Sequence, residues 1–111
     1  MELWQEIQDL NNLLSRAISE LKERGRNYAC AYKNYRMLLA QELLKLKAEG
    51  MPVTIAYDIA RGKTEIAQAK EQEIITESLY ESCKEAINAY KLQIKILDAQ
   101  YQREWGMSKN E

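Results

Sequence analysis

The chain has 111 residues, a net charge of -1 at pH 7, one Pro, four Gly and no Phe or His. This length predicts a single domain, and so few turn-forming residues argue against a β-rich fold, which needs many turns. The balanced charge argues against a dedicated nucleic-acid binder. The lack of His removes the usual catalytic base and the commonest zinc ligand, so we expect no enzyme activity, metal site or cofactor.

The first predicted element is a long helix over about 2–48, rich in residues that favour helices. Alternating steps of four and three residues from Leu3 follow a nearly unbroken apolar stripe, which is typical of a helix that packs along a partner helix. The stripe consists of Leu3, Ile7, Leu10, Leu14, Ala17, Leu21, Arg24, Tyr28, Ala31, Tyr35 and Leu38. Gly25 costs about 1 kcal/mol relative to Ala inside a helix and marks a candidate kink or split.

The tip of about 49–64 is the strongest break in the chain. Gly50 suits the left-handed position just past the end of a helix, and the single Pro follows two residues later. Thr54 predicts the cap of a short helix that begins at Ile55 and ends before Gly62. The tip is longer than the 2–8 residues that usually join helices in a bundle.

A second long helix is predicted over about 65–105, with Thr64 as its cap. It carries the same repeat, with an apolar stripe that weakens toward the tip. The stripe consists of Ile66, Ala69, Glu73, Thr76, Tyr80, Cys83, Ile87, Tyr90, Ile94, Leu97 and Tyr101. The sequence thus predicts one domain over 1–106 and a disordered tail over 107–111.

Folding at the tip places Leu38 opposite Ile66, so that facing residue numbers add up to about 104. This register sets a basic row along an acidic one, which favours an antiparallel pair. The basic row is Lys22, Arg24, Arg26, Lys33 and Arg36, and the acidic row is Glu71, Glu73, Glu77 and Glu81. It also separates Cys30 from Cys83 too far for a disulfide, and we expect both to be buried, reduced thiols. The predicted fold is all-α, a long antiparallel helical hairpin resembling a coiled coil, with a short helix at its tip.

Apolar residues beside the stripes still need to be covered, because large apolar patches usually mark interfaces. They are Trp4, Leu13, Ile18, Leu39, Leu43, Ile75, Leu79 and Ile96. Dimerisation into a helical bundle is the favoured interpretation. The competing interpretation is a compact three-helix bundle formed by a break at Gly25. A stack of the aromatic rings of Trp4 and Trp105 is a further expectation at the far end of the hairpin.

No catalytic motif emerges from the acidic residues of the second helix. The row Glu73, Glu77, Glu81 and Glu85 has helical spacing, but a carboxylate metal site of the di-iron type would also need His. We therefore interpret this row as a solvated helix face.

Two candidate binding sites follow from the sequence. The first is the tip, since an oversized structured connection often carries recognition; its residues are Tyr57, Asp58, Arg61 and Lys63. In the alternative interpretation of the tip, its helix covers the end of the hairpin with Ile55 and Ile59 as a plug. The second site is a basic stretch with interleaved aromatics that can stack on single-stranded nucleic acid. It comprises Lys22, Arg24, Arg26, Tyr32, Lys33 and Arg36.

Three segments of the chain resemble small helical proteins encoded by phages and prophages of Gram-positive bacteria. They are LWQEI, EGMPVTIAYDIARG and KLQIKILDAQYQREWG. The resemblance carries no assigned activity. It implies a bacterial cytoplasm and a phage setting, in which small proteins often act on replication, recombination or host defence by binding.

The combined expectation is a non-enzymatic interaction protein that docks a protein partner through its tip or its flanking apolar ridge and forms a homo-oligomer. A nucleic-acid accessory factor is the first alternative, and a virion assembly or scaffolding component is the second. The N-terminus carries acids where a secretory signal has bases, and no segment approaches the roughly 20 apolar residues that cross a bilayer. We therefore expect a cytoplasmic location in a bacterial host and no membrane contact.

Overall fold

In a computed structural model, the chain is described over Glu2–Asn110, with side chains described over 2–106. The described residues form three helices, α1 (Glu2–Ala48), α2 (Val53–Gly62) and α3 (Thr64–Asn110), and no strand. Helices α1 and α3 pair in antiparallel fashion, and the short helix α2 lies between them in the chain. The predicted all-α class and helical hairpin are therefore confirmed.

Helix α1 runs unbroken through Gly25, so the competing interpretation, a three-helix bundle formed by a break at this residue, is wrong. The glycine instead makes room for an aromatic ring. A Cβ atom at this position would lie 3.2 Å from Cε1 of Tyr80, whose ring packs against that of Tyr28 with 6.1 Å between centroids. Close packing of α1 against α3 therefore offsets the low helix propensity of glycine at this site.

Helix α1 ends in the left-handed turn that the sequence predicts. Gly50 has φ of +87°, the conformation that glycine adopts without steric cost. The Met51 amide donates to the Leu46 carbonyl at 3.2 Å, and the Gly50 amide donates to the Lys47 carbonyl at 3.0 Å. These two bonds form a Schellman motif, which satisfies carbonyls that the helix end would otherwise leave free.

Both predicted caps are wrong by one or two residues. The N-cap of α2 is Pro52 rather than Thr54, with no side-chain cap hydrogen bond, because proline has a fixed φ and no amide hydrogen that would need a partner. Lys63 is the only residue between α2 and α3, and its extended backbone turns the chain. Its carbonyl accepts the Ala67 amide at 2.8 Å, so Lys63, rather than Thr64, begins the hydrogen bonding of α3.

Helix α3 continues to Asn110, about five residues beyond its predicted end at 105. Gly106 does not stop it, because an isolated glycine only weakens a helix. The predicted disordered tail of 107–111 lies outside the described side chains, and Glu111 lies outside the described backbone.

The chain divides into two compact units. The first combines Met1–Glu23 with Glu81–Glu111. In its core, Ala17, Cys83 and Ile87 pack with Leu14, Leu21 and Tyr90, and the Cys83 thiol donates to the Ala17 carbonyl at 3.3 Å. Trp4 packs against Tyr101 with 6.3 Å between ring centroids. The aromatic partner of Trp4 is thus Tyr101, one helical turn before the expected partner Trp105.

The second unit is Arg24–Tyr80 and contains all of α2. Its core consists of Tyr35, Leu39, Leu46, Ala56, Ala60, Ile66 and Ala69, with Leu38, Leu43 and Met51 packed against it. Helix α2 contributes its two alanines, whereas Ile55 and Ile59 remain exposed. The alternative interpretation, in which these isoleucines form a plug, is therefore wrong, since Ala56 and Ala60 are the residues of α2 that pack in the core.

The predicted stripes form the interior of the hairpin in both units. Every stripe residue is buried or half-buried, including the polar Glu73 and Thr76. Tyr35 faces Lys70 and Glu42 faces Lys63, pairs whose residue numbers each add up to 105. These contacts agree with the predicted register.

Two burial predictions need correction. Glu73 is 5% exposed, so the solvated acidic face does not include it, whereas Glu77, Glu81 and Glu85 are exposed. Cys30 is exposed rather than buried, and both cysteines are free thiols.

Candidate functional site

A groove runs between α1 and one flank of α2. Val53, Tyr57 and Arg61 follow one another at four-residue spacing, so they share this flank. Two openings of about 410 and 440 Å³ lie beside it. The first is lined by Ala40, Leu43, Leu44, Lys47, Val53 and Ala56, and the second by Tyr32, Tyr35, Arg36, Tyr57, Arg61, Lys70 and Glu73. We refer to these two openings together as the α2 groove; the first is its apolar end and the second is its cationic end.

Small residues on α2 create this groove. Ala60 is completely buried and Ala56 nearly so, and their four-residue spacing places both on the side that contacts the core. Only the alanine face is used for packing, so the larger side chains of α2 project to either side. Among them, Tyr57 and Arg61 form one wall of the cationic end.

Aromatic rings hold two of the cations at the cationic end. The Arg61 guanidinium lies 5.0 Å from the centroid of the Tyr57 ring, and the Lys70 ammonium lies 4.8 Å from that of the Tyr35 ring. Both contacts are cation–π interactions, worth about 0.5–1 kcal/mol at exposed sites. They favour these positions of the charged groups in the free protein.

The Glu73 carboxylate at the cationic end already has an ion-pair partner. The Lys70 ammonium donates to the Glu73 carboxylate at 3.1 Å, and this hydrogen bond raises the pKa of Lys70 above its ordinary value. Asp58 lies 3.6 Å from Arg61, with both side chains exposed. Within the described part of the chain, no ion pair involves Arg36. Its positive charge is available to an anion that enters the groove.

The apolar end is open to solvent. Leu44 and Val53 are both exposed, whereas Leu43 is half-buried and packs against the core. Lys47 lies at its edge. This end therefore offers an apolar surface with a basic rim.

The structure separates the four residues predicted for the tip site. Tyr57 and Arg61 line the α2 groove, and the Asp58 carboxylate lies 3.6 Å from the Arg61 guanidinium. Lys63 lines a different opening with Glu42, to which its ammonium is paired at 2.7 Å. This close contact with the Glu42 carboxylate raises the pKa of Lys63 above its ordinary value. Because Lys63 ties the α2–α3 junction to α1, its visible role is structural.

The predicted nucleic-acid residues are also dispersed. Tyr32 and Arg36 line the cationic end of the groove, and Arg24 is half-buried in the stripe. Arg26 and Lys33 are exposed, while Lys22 is exposed in the other unit. The structure thus brings Tyr32 and Arg36 of this set together with Tyr57 and Arg61 of the predicted tip site.

Several groove residues were not predicted from the sequence, chiefly Leu44, Lys47 and Lys70. Their positions depend on which face α2 turns toward α1. The spacing of Ala56 and Ala60 was the available signal, but small residues carry a weaker periodic pattern than the neighbouring isoleucines.

Among the described residues, no helix has a stretch long and apolar enough to cross a membrane. In the same part of the chain, no group of three or more Cys, Asp or Glu is arranged to hold a metal ion. No family model, curated protein or solved structure matches the chain.

Proposed function

We propose that this chain is a non-enzymatic interaction protein that docks a protein partner through the α2 groove. The observation that carries the proposal is the orientation of α2. A helix that served only to close the hairpin would turn its large apolar residues inward, yet here alanines face the core and large apolar residues face solvent. Val53 is exposed within the groove, whereas Ile55 and Ile59 are exposed outside its lining. Exposed apolar side chains beside a basic rim are typical of a protein-binding surface.

The composition of the groove supports a protein ligand in particular. Its walls include Tyr and Arg, the residue types that most often dominate binding energy at protein interfaces, together with Leu and Val at the apolar end. Tyr57 and Arg61 already contact each other, so less side-chain freedom is lost on binding. A bacterial cytoplasm and a phage setting remain part of the proposal, through the resemblance alone.

Nucleic acid is the second candidate, favoured by the exposed Tyr32, which lines the cationic end with Arg36, and by the exposed Arg26 and Lys33 on the same helix. Phosphate contacts make such binding fall steeply with salt, whereas an apolar anchor responds weakly. Titration of labelled single-stranded DNA at low and moderate salt distinguishes the two. Tight binding that vanishes at moderate salt would favour the nucleic-acid factor over the protein-docking module.

Affinity purification from cells that express the chain naturally tests the proposal. Three baits are compared: the wild type, a tip variant (Tyr57→Ala with Arg61→Glu), and a matched control (Trp105→Ala with Arg103→Glu). The control removes an exposed aromatic ring and reverses an arginine in the other unit. A partner that is lost from the tip variant, is retained by the control, and forms a complex with the purified chain supports the proposal. A specific partner retained by the tip variant contradicts it.

A further inference from the structure

The two ends of the α2 groove have different chemistry and lie in line. Arg36, Ala40 and Leu44 are spaced four residues apart on α1, while Val53, Tyr57 and Arg61 have the same spacing on α2. Residues four apart lie about 6 Å apart along a helix. The apolar and cationic ends are therefore separated by roughly two turns, or about 12 Å. A single ligand that is at least about 12 Å long can contact both ends.

The charge of the groove differs from that of the chain. The whole sequence carries a net charge of -1, but the four basic residues Arg36, Arg61, Lys70 and Lys47 line the groove. Two acids oppose them: Glu73 in the lining, and Asp58, whose carboxylate lies 3.6 Å from the Arg61 guanidinium. Glu73 is buried and bound by Lys70. Since Arg36 and Arg61 present planar donors that match carboxylates, the complementary ligand is acidic at one end and apolar at the other.

We propose that the α2 groove receives an acidic, amphipathic helical segment of the partner protein. Leucine-like side chains one turn apart enter the apolar end beside Leu44 and Val53, and carboxylates two turns further along meet Arg36 and Arg61. This is the helix-in-groove mode of recognition. The inference rests on the proposed function and assigns the chemistry of the occupant.

A defined peptide series tests the occupant. The probe is a fluorescein-labelled, capped peptide of about 18 residues, or roughly five helical turns, with two leucines one turn apart and two glutamates two turns beyond. One control replaces both glutamates by lysine. A second control scrambles the sequence, so that leucines and glutamates no longer share a face. Each peptide is titrated with the full-length chain, and binding is measured by fluorescence anisotropy.

The acidic amphipathic peptide is expected to bind at least about tenfold more tightly than either control, since its carboxylates form charge-assisted hydrogen bonds with guanidinium groups at the cationic end. Arg36→Glu with Arg61→Glu should weaken it by tenfold or more. The matched double charge reversal Lys91→Glu with Lys95→Glu, at exposed positions in the other unit and outside the groove lining, should change binding by less than about twofold, because solvent screens exposed charges that do not touch the peptide. Circular dichroism confirms that the variants remain folded.

Equal binding of the lysine or scrambled peptide would overturn the assignment, as would full binding by the Arg36→Glu, Arg61→Glu variant. A single-stranded oligonucleotide that displaces the acidic peptide and binds more tightly would assign the groove to nucleic acid instead. A dimer in light scattering that Arg36→Glu dissociates would assign it to a second copy of the chain.

Failure of this inference is distinguishable from failure of the proposed function. If Tyr57→Ala with Arg61→Glu abolishes partner capture while acidic peptides fail to bind, then the docking surface stands and the occupant is wrong. If the same variant retains its partner, both proposals fail.

Discussion

The packing of α2 makes a sharp prediction about two leucines on α1. Leu39 is 5% exposed inside the core of the second unit, whereas Leu44, five residues later on the same helix, is 69% exposed. Truncation of a buried leucine to alanine removes its transfer free energy and leaves a cavity, with typical costs of about 2–5 kcal/mol. Truncation of an exposed leucine usually changes stability by less than about 0.5 kcal/mol.

The magnitude for Leu39→Ala falls in the lower part of that range. Leu38, Leu43 and Met51 around the cluster are only partly buried, so they can move into the space and reduce the cavity. We expect a loss of about 2–3 kcal/mol. Leu44→Ala should be nearly neutral, because alanine also has the slightly higher helix propensity.

Urea unfolding followed by far-UV circular dichroism measures both free energies, provided that the slope with denaturant is the same for all variants. The pair controls for residue type and helix, so burial is the main difference between the two sites. Burial of Leu39 predicts that Leu39→Ala lowers the free energy of unfolding by about 2 kcal/mol or more. A loss below about 0.5 kcal/mol would refute the packing of α2 over α1. Equal losses at both sites would refute it as well. The variant Leu44→Ala should also bind the acidic peptide more weakly than the wild type does, while its free energy of unfolding stays unchanged.

Three further predictions concern the turn, the cysteines and the alkaline range. Gly50→Ala should destabilise the chain by roughly 1–2 kcal/mol, because this residue has φ of +87°. In native protein, Cys30 should react rapidly with a thiol reagent, and Cys83 only upon unfolding, since Cys30 is exposed and Cys83 is buried. The pKa of Lys63 is raised by Glu42 above its ordinary value of 10.5, so the folded state binds this proton more tightly than the unfolded state. The Lys63–Glu42 ion pair therefore contributes its full stabilisation below pH 10.5 and loses it as the pH rises through the raised pKa of Lys63.

Each of these predictions has a control and a contradicting result. Gly62 has open space around it and no positive φ, so Gly62→Ala should be neutral or stabilising; equal losses at both glycines would contradict the turn argument. Rapid modification of both thiols would contradict the packing of Cys83. Alkaline titration of Lys63→Gln should show a smaller loss of stability above pH 10.5 than the wild type, and an identical curve would contradict the Lys63–Glu42 pair.

The long helices and their facing surfaces were predictable because periodicity is a property of the local sequence. The repeat from Leu3 to Leu38 and its counterpart on α3 identified residues that are buried or half-buried in the structure. The left-handed turn at Gly50 was predictable for the same reason, since glycine is required there by backbone sterics alone.

The orientation of α2 was not predictable, because it depends on a contact between segments distant in the sequence. Hydrophobicity favoured Ile55 and Ile59 as the buried face, but Ala56 and Ala60 are the residues of α2 that face the core. The same limitation concealed the role of Gly25, whose neighbour Tyr80 belongs to the other long helix. The candidate site follows from the orientation of α2. Of the residues predicted for the tip site and the nucleic-acid site, Tyr57, Arg61, Tyr32 and Arg36 line it.

The most direct test of docking through the α2 groove is site-specific photo-crosslinking in cells. Benzoylphenylalanine is placed either at position 57, in the groove, or at position 79, where Leu79 is exposed on α3. Docking through the groove predicts a discrete adduct with a second, different protein from position 57 and none of that mass from position 79. The absence of a protein adduct from position 57, or the same adduct from both positions, would contradict docking at this site.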